Sequence, residues 1–144
     1  MQSVNINLGK PNVGWLPIDI LASDFKLSFE ASDLGLNVLD QLADMVIGLD
    51  NNRAAECYFY LEPGAYVLKT KPSSDIVDLQ IEFTEDFDMK DDQVFEPVFH
   101  AEVNASEFRK SLINTLQVFL NIDYPESDWP SPEKSTILKQ LVNS

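Results

Sequence analysis

The amino-acid sequence predicts an α+β fold in one globular domain, 1–144, with a mostly antiparallel sheet of about five strands, two longer helices and a short C-terminal helix. Three observations lead there. Short segments of strict apolar/polar alternation follow one another with only brief turns between them. Two stretches carry apolar residues at helical spacing. The composition, 44% apolar with 5 glycines, is that of a chain that buries a core rather than a disordered one, despite a net charge of −14.

Val4, Ile6 and Leu8 alternate with polar residues as a half-buried strand does. After an interruption at Gly9 to Gly14, Leu16-Pro17-Ile18-Asp19-Ile20 resumes the extended pattern. Ser23-Asp24 can turn it, and Phe25, Leu27 and Phe29 alternate again. Ser32 or Asp33 then offers an N-cap oxygen for a first helix, about Leu34 to Leu49, whose Leu39, Leu42, Val46 and Leu49 share a face. Asp50-Asn51-Asn52 ends it, because these side chains compete for backbone hydrogen bonds and tolerate left-handed geometry.

A meander follows. The strand from Ala55 to Leu61 places Ala55, Cys57, Phe59 and Leu61 on one face and Glu56, Tyr58 and Tyr60 on the other. Glu62-Pro63-Gly64 turns the chain, Pro presetting φ and Gly accepting a positive one. Ala65 to Thr70 returns, Lys71-Pro72-Ser73-Ser74 turns again, and Val77, Leu79, Ile81 and Phe83 alternate in the next strand. Beyond an acidic loop from Glu85 to Asp92, a strand from Val94 to Val103 contains Pro97, which favours an edge or a bulge. Asn104 and Glu107 have the spacing of a capping box before the stripe Phe108, Leu112, Leu116, Phe119 and Leu120. Tyr124 to Pro132 reads as a loop. Ser131-Pro132-Glu133 opens the terminal helix, which buries Ile137, Leu138, Leu141 and Val142.

Charge narrows the function classes. Eleven acids lie between Asp75 and Glu107 against one base, Lys90. Such a field argues against nucleic acid or an anionic membrane as a partner, since phosphate contacts need Lys and Arg, and leaves a basic protein partner open. The N-terminus lacks the pattern of a signal peptide, and no apolar run is long enough to span a bilayer. With a lone cysteine, the chain is expected to be cytoplasmic.

No cofactor motif, metal-spaced His or Cys set, phosphate loop or nucleophile elbow occurs. Cys57 and His100 are the sole residues of their kinds, but Cys57 shares a face with Ala55, Phe59 and Leu61 and behaves as a small hydrophobe there. We expect no catalytic dyad. A calcium loop starting at Asp86 would need an oxygen ligand where Lys90 stands, glycine where Asp91 stands and a bidentate Glu where Pro97 stands. Trp15, Trp129, Tyr66 and Tyr124 read as core or rim. Tyr58 and Tyr60 lie on the face opposite the apolar one and are candidate interface anchors.

Three local sequences, Ala31-Ser32-Asp33 before a helix, Leu61-Glu62-Pro63-Gly64-Ala65-Tyr66 at a strand turn and Trp129-Pro130-Ser131-Pro132 before the terminal helix, resemble small acidic bacterial proteins of the toxin-immunity type. The resemblance implies a stoichiometric binder that masks a cationic toxin surface and assigns no residue a role. The expectation is a non-enzymatic binding protein with no cofactor, its partner-binding residues Glu85, Asp86, Asp88, Asp91 and Asp92, with Tyr58 and Tyr60 as the next candidates. An acidic domain with no charged partner and a carboxylate-based enzyme are the alternatives.

Overall fold

A computed structural model describes residues 1–88, 92–131 and 135–143. Its elements run β1 (Asn5–Leu8), β2 (Trp15–Ala22), β3 (Phe25–Ser32), α1 (Val38–Asp50), β4 (Ala55–Tyr60), β5 (Ala65–Ser73), β6 (Ile76–Thr84), β7 (Glu96–Asn104), α2 (Ala105–Leu120) and α3 (Ser135–Val142). The α+β class, the antiparallel pairing, the two longer helices and the short C-terminal one are as the sequence predicts. The strands, however, are shared between two sheets, β1-β2-β3 and β4-β5-β6-β7, instead of forming one sheet of about five. Helix α1 separates the two sheets along the chain, so the alternation that marks each strand carries no information about which sheet it joins.

In the first sheet, Ile6 opposes Ile20 and Leu8 opposes Ile18, which in turn oppose Leu27 and Phe29, so one face is continuously apolar. Strand β3 lays that face across the second sheet. Phe25 stacks on Phe99 of β7 with centroids 4.4 Å apart, while Phe29 meets Phe59 of β4 edge-on at 5.3 Å. Four residues of strand span about 13 Å and four strands about 14 Å. Strand β3 therefore crosses the second sheet from one edge strand to the other, close to perpendicular. Helix α1 packs on β4, and α2 on β1 and β7. Buried apolar residues from the facing sides of both sheets and from all three helices form one continuous cluster, with Trp129 inside it.

Local chemistry moves several boundaries. Helix α1 begins four residues later than the sequence pattern predicts, capped by Asn37, whose Oδ1 accepts from Leu39 N–H at 2.9 Å. Ser32 is engaged elsewhere, its Oγ accepting from Leu34 N–H at 3.1 Å. Gly35 lies so close to Tyr60 that an added Cβ would be 3.0 Å from the tyrosine Cβ. Leu34 and Leu36 are thus left outside the helix, 73% and 67% exposed. The Asn104 cap of α2 forms as expected, its Oδ1 accepting from Glu107 N–H at 2.9 Å. Leu120 falls outside the buried stripe, and Thr115 takes a place in it by donating to Ile6 O at 2.6 Å.

Pro72 lies within β5 opposite Val77, and the turn is Ser74-Asp75, with Ser74 at φ 61°. The proline fits because β4 pairs with β5 only as far as Thr70, leaving no neighbour on its other side. Pro97 stands on edge strand β7 at a register shift, as its lack of an N–H requires. In the β4–β5 turn Glu62, not Gly64, takes the positive φ, at 57°. Gly64 is needed for space: a Cβ there would stand 2.8 Å from Thr84 O and 3.2 Å from Glu85 O. Gly64→Ala should therefore lower stability by about 1–3 kcal/mol, read from the urea midpoint, because the obstructing atoms are backbone. The expected cap of α3 at Pro132 and Glu133, and the side chains of Ile137 and Val142, lie outside the described residues; Leu138 is buried.

Candidate partner-binding site

The second sheet has an inner face, with Cys57, Phe59, Leu68 and Ile81, and an outer face, with Glu56, Tyr58, Tyr60, Val67, Lys69, Gln80, Glu82 and His100. The first residues of the acidic segment after β6, 85–88, fold back over this outer face. Phe87 stacks on Tyr58 with centroids 5.1 Å apart and planes 20° apart, and it also touches Tyr60 at 6.4 Å. Its N–H donates to Pro63 O at 2.7 Å, which fixes the loop to the β4–β5 turn. Nearby, Lys69 Nζ stands 5.6 Å from the Phe95 ring centroid and 2.5 Å from Glu82 Oε1. Val67 is buried although it points to the outer side.

Gln93 holds the loop's shape. Its Nε2 donates to Thr84 Oγ1 at 2.6 Å and to Asp86 O at 2.8 Å, while its Oε1 accepts from Asp88 N–H at 2.9 Å. Glu85, Asp86, Asp88 and Asp92 are exposed around a hollow of about 340 Å³. Asp91 lies outside the described residues. The acidic loop and the two tyrosines, read from the sequence as separate candidates, are thus neighbours in space, joined by Phe87.

Two larger hollows meet at Tyr58. One, about 450 Å³, is lined by Leu34, Gly35, Leu36, Tyr58, Tyr60 and Phe87 and is apolar. The other, about 480 Å³, shares Gly35, Leu36 and Tyr58 with the first and adds the carboxylates Asp40, Asp44 and Glu56. Its far wall is Pro130-Ser131, tethered by Asn37 Nδ2 donating to Pro130 O at 3.3 Å. Arg53 meets Asp44 at 3.4 Å. Tyr58 is fixed from both ends: its hydroxyl donates to Glu56 Oε2, and its backbone is held by Gln41. Gln41 Oε1 accepts from Tyr58 N–H at 2.7 Å and Gln41 Nε2 donates to Tyr58 O at 2.9 Å, so a side chain on α1 pairs with the free edge of β4 as a neighbouring strand would.

Partial burial, then the hydrogen bond to Glu56 and the charges of Glu56 and Glu82, push the Tyr58 phenol from 10.0 up to about 12. The folded state favours the protonated phenol. Its contribution to stability is complete below about pH 10 and is lost as pH rises toward about 12. In a spectrophotometric titration Tyr58→Phe should remove a late-ionising component and Glu56→Gln should bring that component down, with Tyr124, raised by burial, late in each.

Cys57 and His100 do not meet. They sit on opposite faces of the sheet and on its two edge strands. Burial pushes the Cys57 thiol far above its ordinary value, and His100 is exposed with its Nε2 against Asp78 Oδ1. Among the described residues no three His, Cys, Asp or Glu side chains group as metal ligands, and no helix is long and apolar enough to cross a membrane.

Sequence reasoning missed Leu34, Leu36, Gln41, Phe87 and Gln93. A lone phenylalanine within an acidic run was the one local signal, since an aromatic there has to find an apolar partner. The helical spacing draws Leu34 and Leu36 into a helix that starts only at Val38.

No protein-family model matches the chain, and none of the curated proteins matches it in sequence. A chain of a solved structure described as "CdiA-CT/CdiI toxin and immunity complex from Enterobacter cloacae" is similar in fold, at 14% identity and a TM-score of 0.49, over 77% of this chain and 99% of that one.

Proposed function

We propose that this chain is a non-enzymatic binding protein whose aromatic cleft and surrounding carboxylates engage a basic protein. The observation that carries this reading is the stacking of Phe87, from the acidic loop, on Tyr58, which sets an exposed apolar cleft with Leu34 and Leu36 between two groups of carboxylates. Apolar centres with aromatic anchors inside a charged rim are how protein interfaces are built, and the rim's charge sets the association rate and the choice of partner. The finer version, which the sequence resemblance implies, is an immunity-type protein that masks a toxin's cationic surface.

The test immobilises the chain and compares proteins retained from a lysate of the source cells by wild type, by a variant with Glu85, Asp86, Asp88, Asp91 and Asp92 neutralised to Gln or Asn, and by Tyr60→Ala. We expect a basic partner held one-to-one, its association slowed at least about tenfold by loop neutralisation at low salt and much less at high salt, because exposed charges are screened over about 8 Å at physiological ionic strength. If the partner is a toxin, one equivalent of the chain should silence it. Identical retention by wild type and both folded variants would sink the proposal.

A further inference from the structure

Strand β3 has an open edge. The two-residue turn Ser23-Asp24 makes Ala22 and Phe25 a bonded pair, and bonded pairs alternate along an antiparallel ladder. Leu27 and Phe29 therefore bond back to β2, while Lys26, Ser28 and Glu30 turn their N–H and C=O groups outward. Gly9 N–H donating to Pro17 O at 2.9 Å fixes the same phase, since Pro17, opposite Glu30, thereby faces β1 and not β3. Among the described residues no hydrogen bond reaches those outward groups. The other three edges are closed or broken up. Thr115 of α2 donates to Ile6 O on β1, Gln41 of α1 pairs with Tyr58 on β4, and Pro97 interrupts β7 at its register shift.

An apolar floor continues past that edge. The three strands of the first sheet are about 10 Å across, whereas β5 and β6, nine residues each, run about 30 Å. Helix α2 takes up the β1 side. On the β3 side Phe29 touches Tyr66 with centroids 4.7 Å apart and Tyr66 touches Phe83 at 5.1 Å, and these rings, like Phe25 and Phe99 nearer β7, are only partly buried.

We infer that β3 accepts an extended segment of a partner protein as a fourth, antiparallel strand, one that reads base, apolar, polar, apolar, acid. The main chain bonds to Lys26, Ser28 and Glu30, the two apolar side chains lie beside Phe29 and Leu27 over the floor, and the terminal charges oppose Glu30 and Lys26. Both of these side chains are exposed, and among the described residues neither has an ion pair within the chain. Opposite charges facing each other across a ladder stabilise it and like charges weaken it, so residues 26 and 30 select direction and register. A second copy of β3 would match the same charges, but the two-fold axis of that pairing would place both second sheets on one side and drive their β4–β5 turns into the same space. A single strand brings no second layer. The edge lies on the inner side of the second sheet and the Tyr58 cleft on the outer side, so this inference does not depend on the cleft.

The test titrates four end-blocked peptides with equal Gly/Ser flanks into the isotopically labelled full chain and follows amide chemical shifts. Their cores are Lys-Val-Thr-Val-Glu, the reverse order Glu-Val-Thr-Val-Lys, Lys-Ser-Thr-Ser-Glu, and the first with its threonine N-methylated. The first should shift Lys26, Ser28, Glu30, Tyr66 and Phe83 and slow hydrogen exchange at the three β3 amides. Each of the others should bind at least about fivefold more weakly, having lost charge match, floor contact or a main-chain bond. Ser28→Pro removes an N–H that bonds to nothing within the chain and should abolish binding. Lys26→Glu combined with Glu30→Lys, two exposed changes, should reverse the preference between the first two peptides, which reads the inference even if the proline variant does not fold.

Equal binding of the first two peptides, an unchanged preference in the charge-exchanged variant, shifts confined to another surface, or no shifts at millimolar peptide would overturn the inference. So would a dimer in sedimentation that Ser28→Pro dissolves, since the edge would then belong to a second copy. The binding role proposed above is read separately, by its dependence on the acidic loop and Tyr60.

Discussion

Phe59→Ala should lower the unfolding free energy by about 3–5 kcal/mol, a large part of the roughly 5–15 kcal/mol that holds a domain of this size together. Phe59 is completely buried at the point where the two sheets and α1 come together, meeting Phe29 edge-on from across the inter-sheet layer. Truncation removes the aromatic contact and leaves a cavity between elements that cannot close independently, because β3 is anchored at its other end by Phe25 on Phe99. Phe59→Leu should cost less, since most of the volume remains. Tyr58 and Tyr60, one position away on either side, point outward, and Tyr60→Ala should change stability by much less while weakening partner binding. Urea unfolding of the set, with unchanged slope and shifted midpoint, checks the contrast. A Phe59→Ala loss below about 1 kcal/mol would mean that the sheets do not meet through this residue.

That division of labour along β4 was legible in the sequence because a strand's period of two is a local property: Cys57 and Phe59 against Tyr58 and Tyr60 needs no knowledge of the partner strands. The Asn104 cap was legible for the same reason, as its oxygen and the Glu107 N–H it accepts are three residues apart. What the sequence left open depends on groups distant along the chain. Ser32 and Asp33 are as good an N-cap by type as Asn37. The choice falls to Asn37 because Ser32 turns to Leu34, and Gly35 is pressed against Tyr60. A turn at Pro72 is the natural reading of a proline, and it fails only because β4 stops short of it. The candidate site divides the same way. Charge density marked the acidic loop and alternation marked the tyrosines, but their union depends on where Phe87 lands after the chain reverses, which no local pattern encodes.

Gln41 is the clearest case of a residue that local patterns cannot find, and its replacement by leucine should destabilise the protein by about 2–3 kcal/mol. On α1 it reads as an ordinary polar position between apolar ones. In space it closes the open edge of β4, pairing with both backbone groups of Tyr58 and donating also to Leu36 O at 3.2 Å. Leucine would retain the volume while leaving Tyr58 N–H and C=O unpaired in a partly covered place, and each such group costs about 1–3 kcal/mol when left without a partner. Some of that cost is relieved by water reaching the edge, so the lower end of the summed range, about 2–3 kcal/mol, is expected. Gln41→Glu separates the two directions of bonding: its carboxylate still accepts from Tyr58 N–H but donates to neither carbonyl, and it should fall between wild type and Gln41→Leu. Hydrogen exchange gives a readout that global stability does not. The Tyr58 amide should lose protection in Gln41→Leu beyond what the overall loss of stability accounts for and keep most of it in Gln41→Glu. Because the same bonds hold the wall between the two hollows, Gln41→Leu should also weaken partner binding. Unchanged Tyr58 protection with a loss under about 0.5 kcal/mol would show that water satisfies the β4 edge as well as the glutamine does.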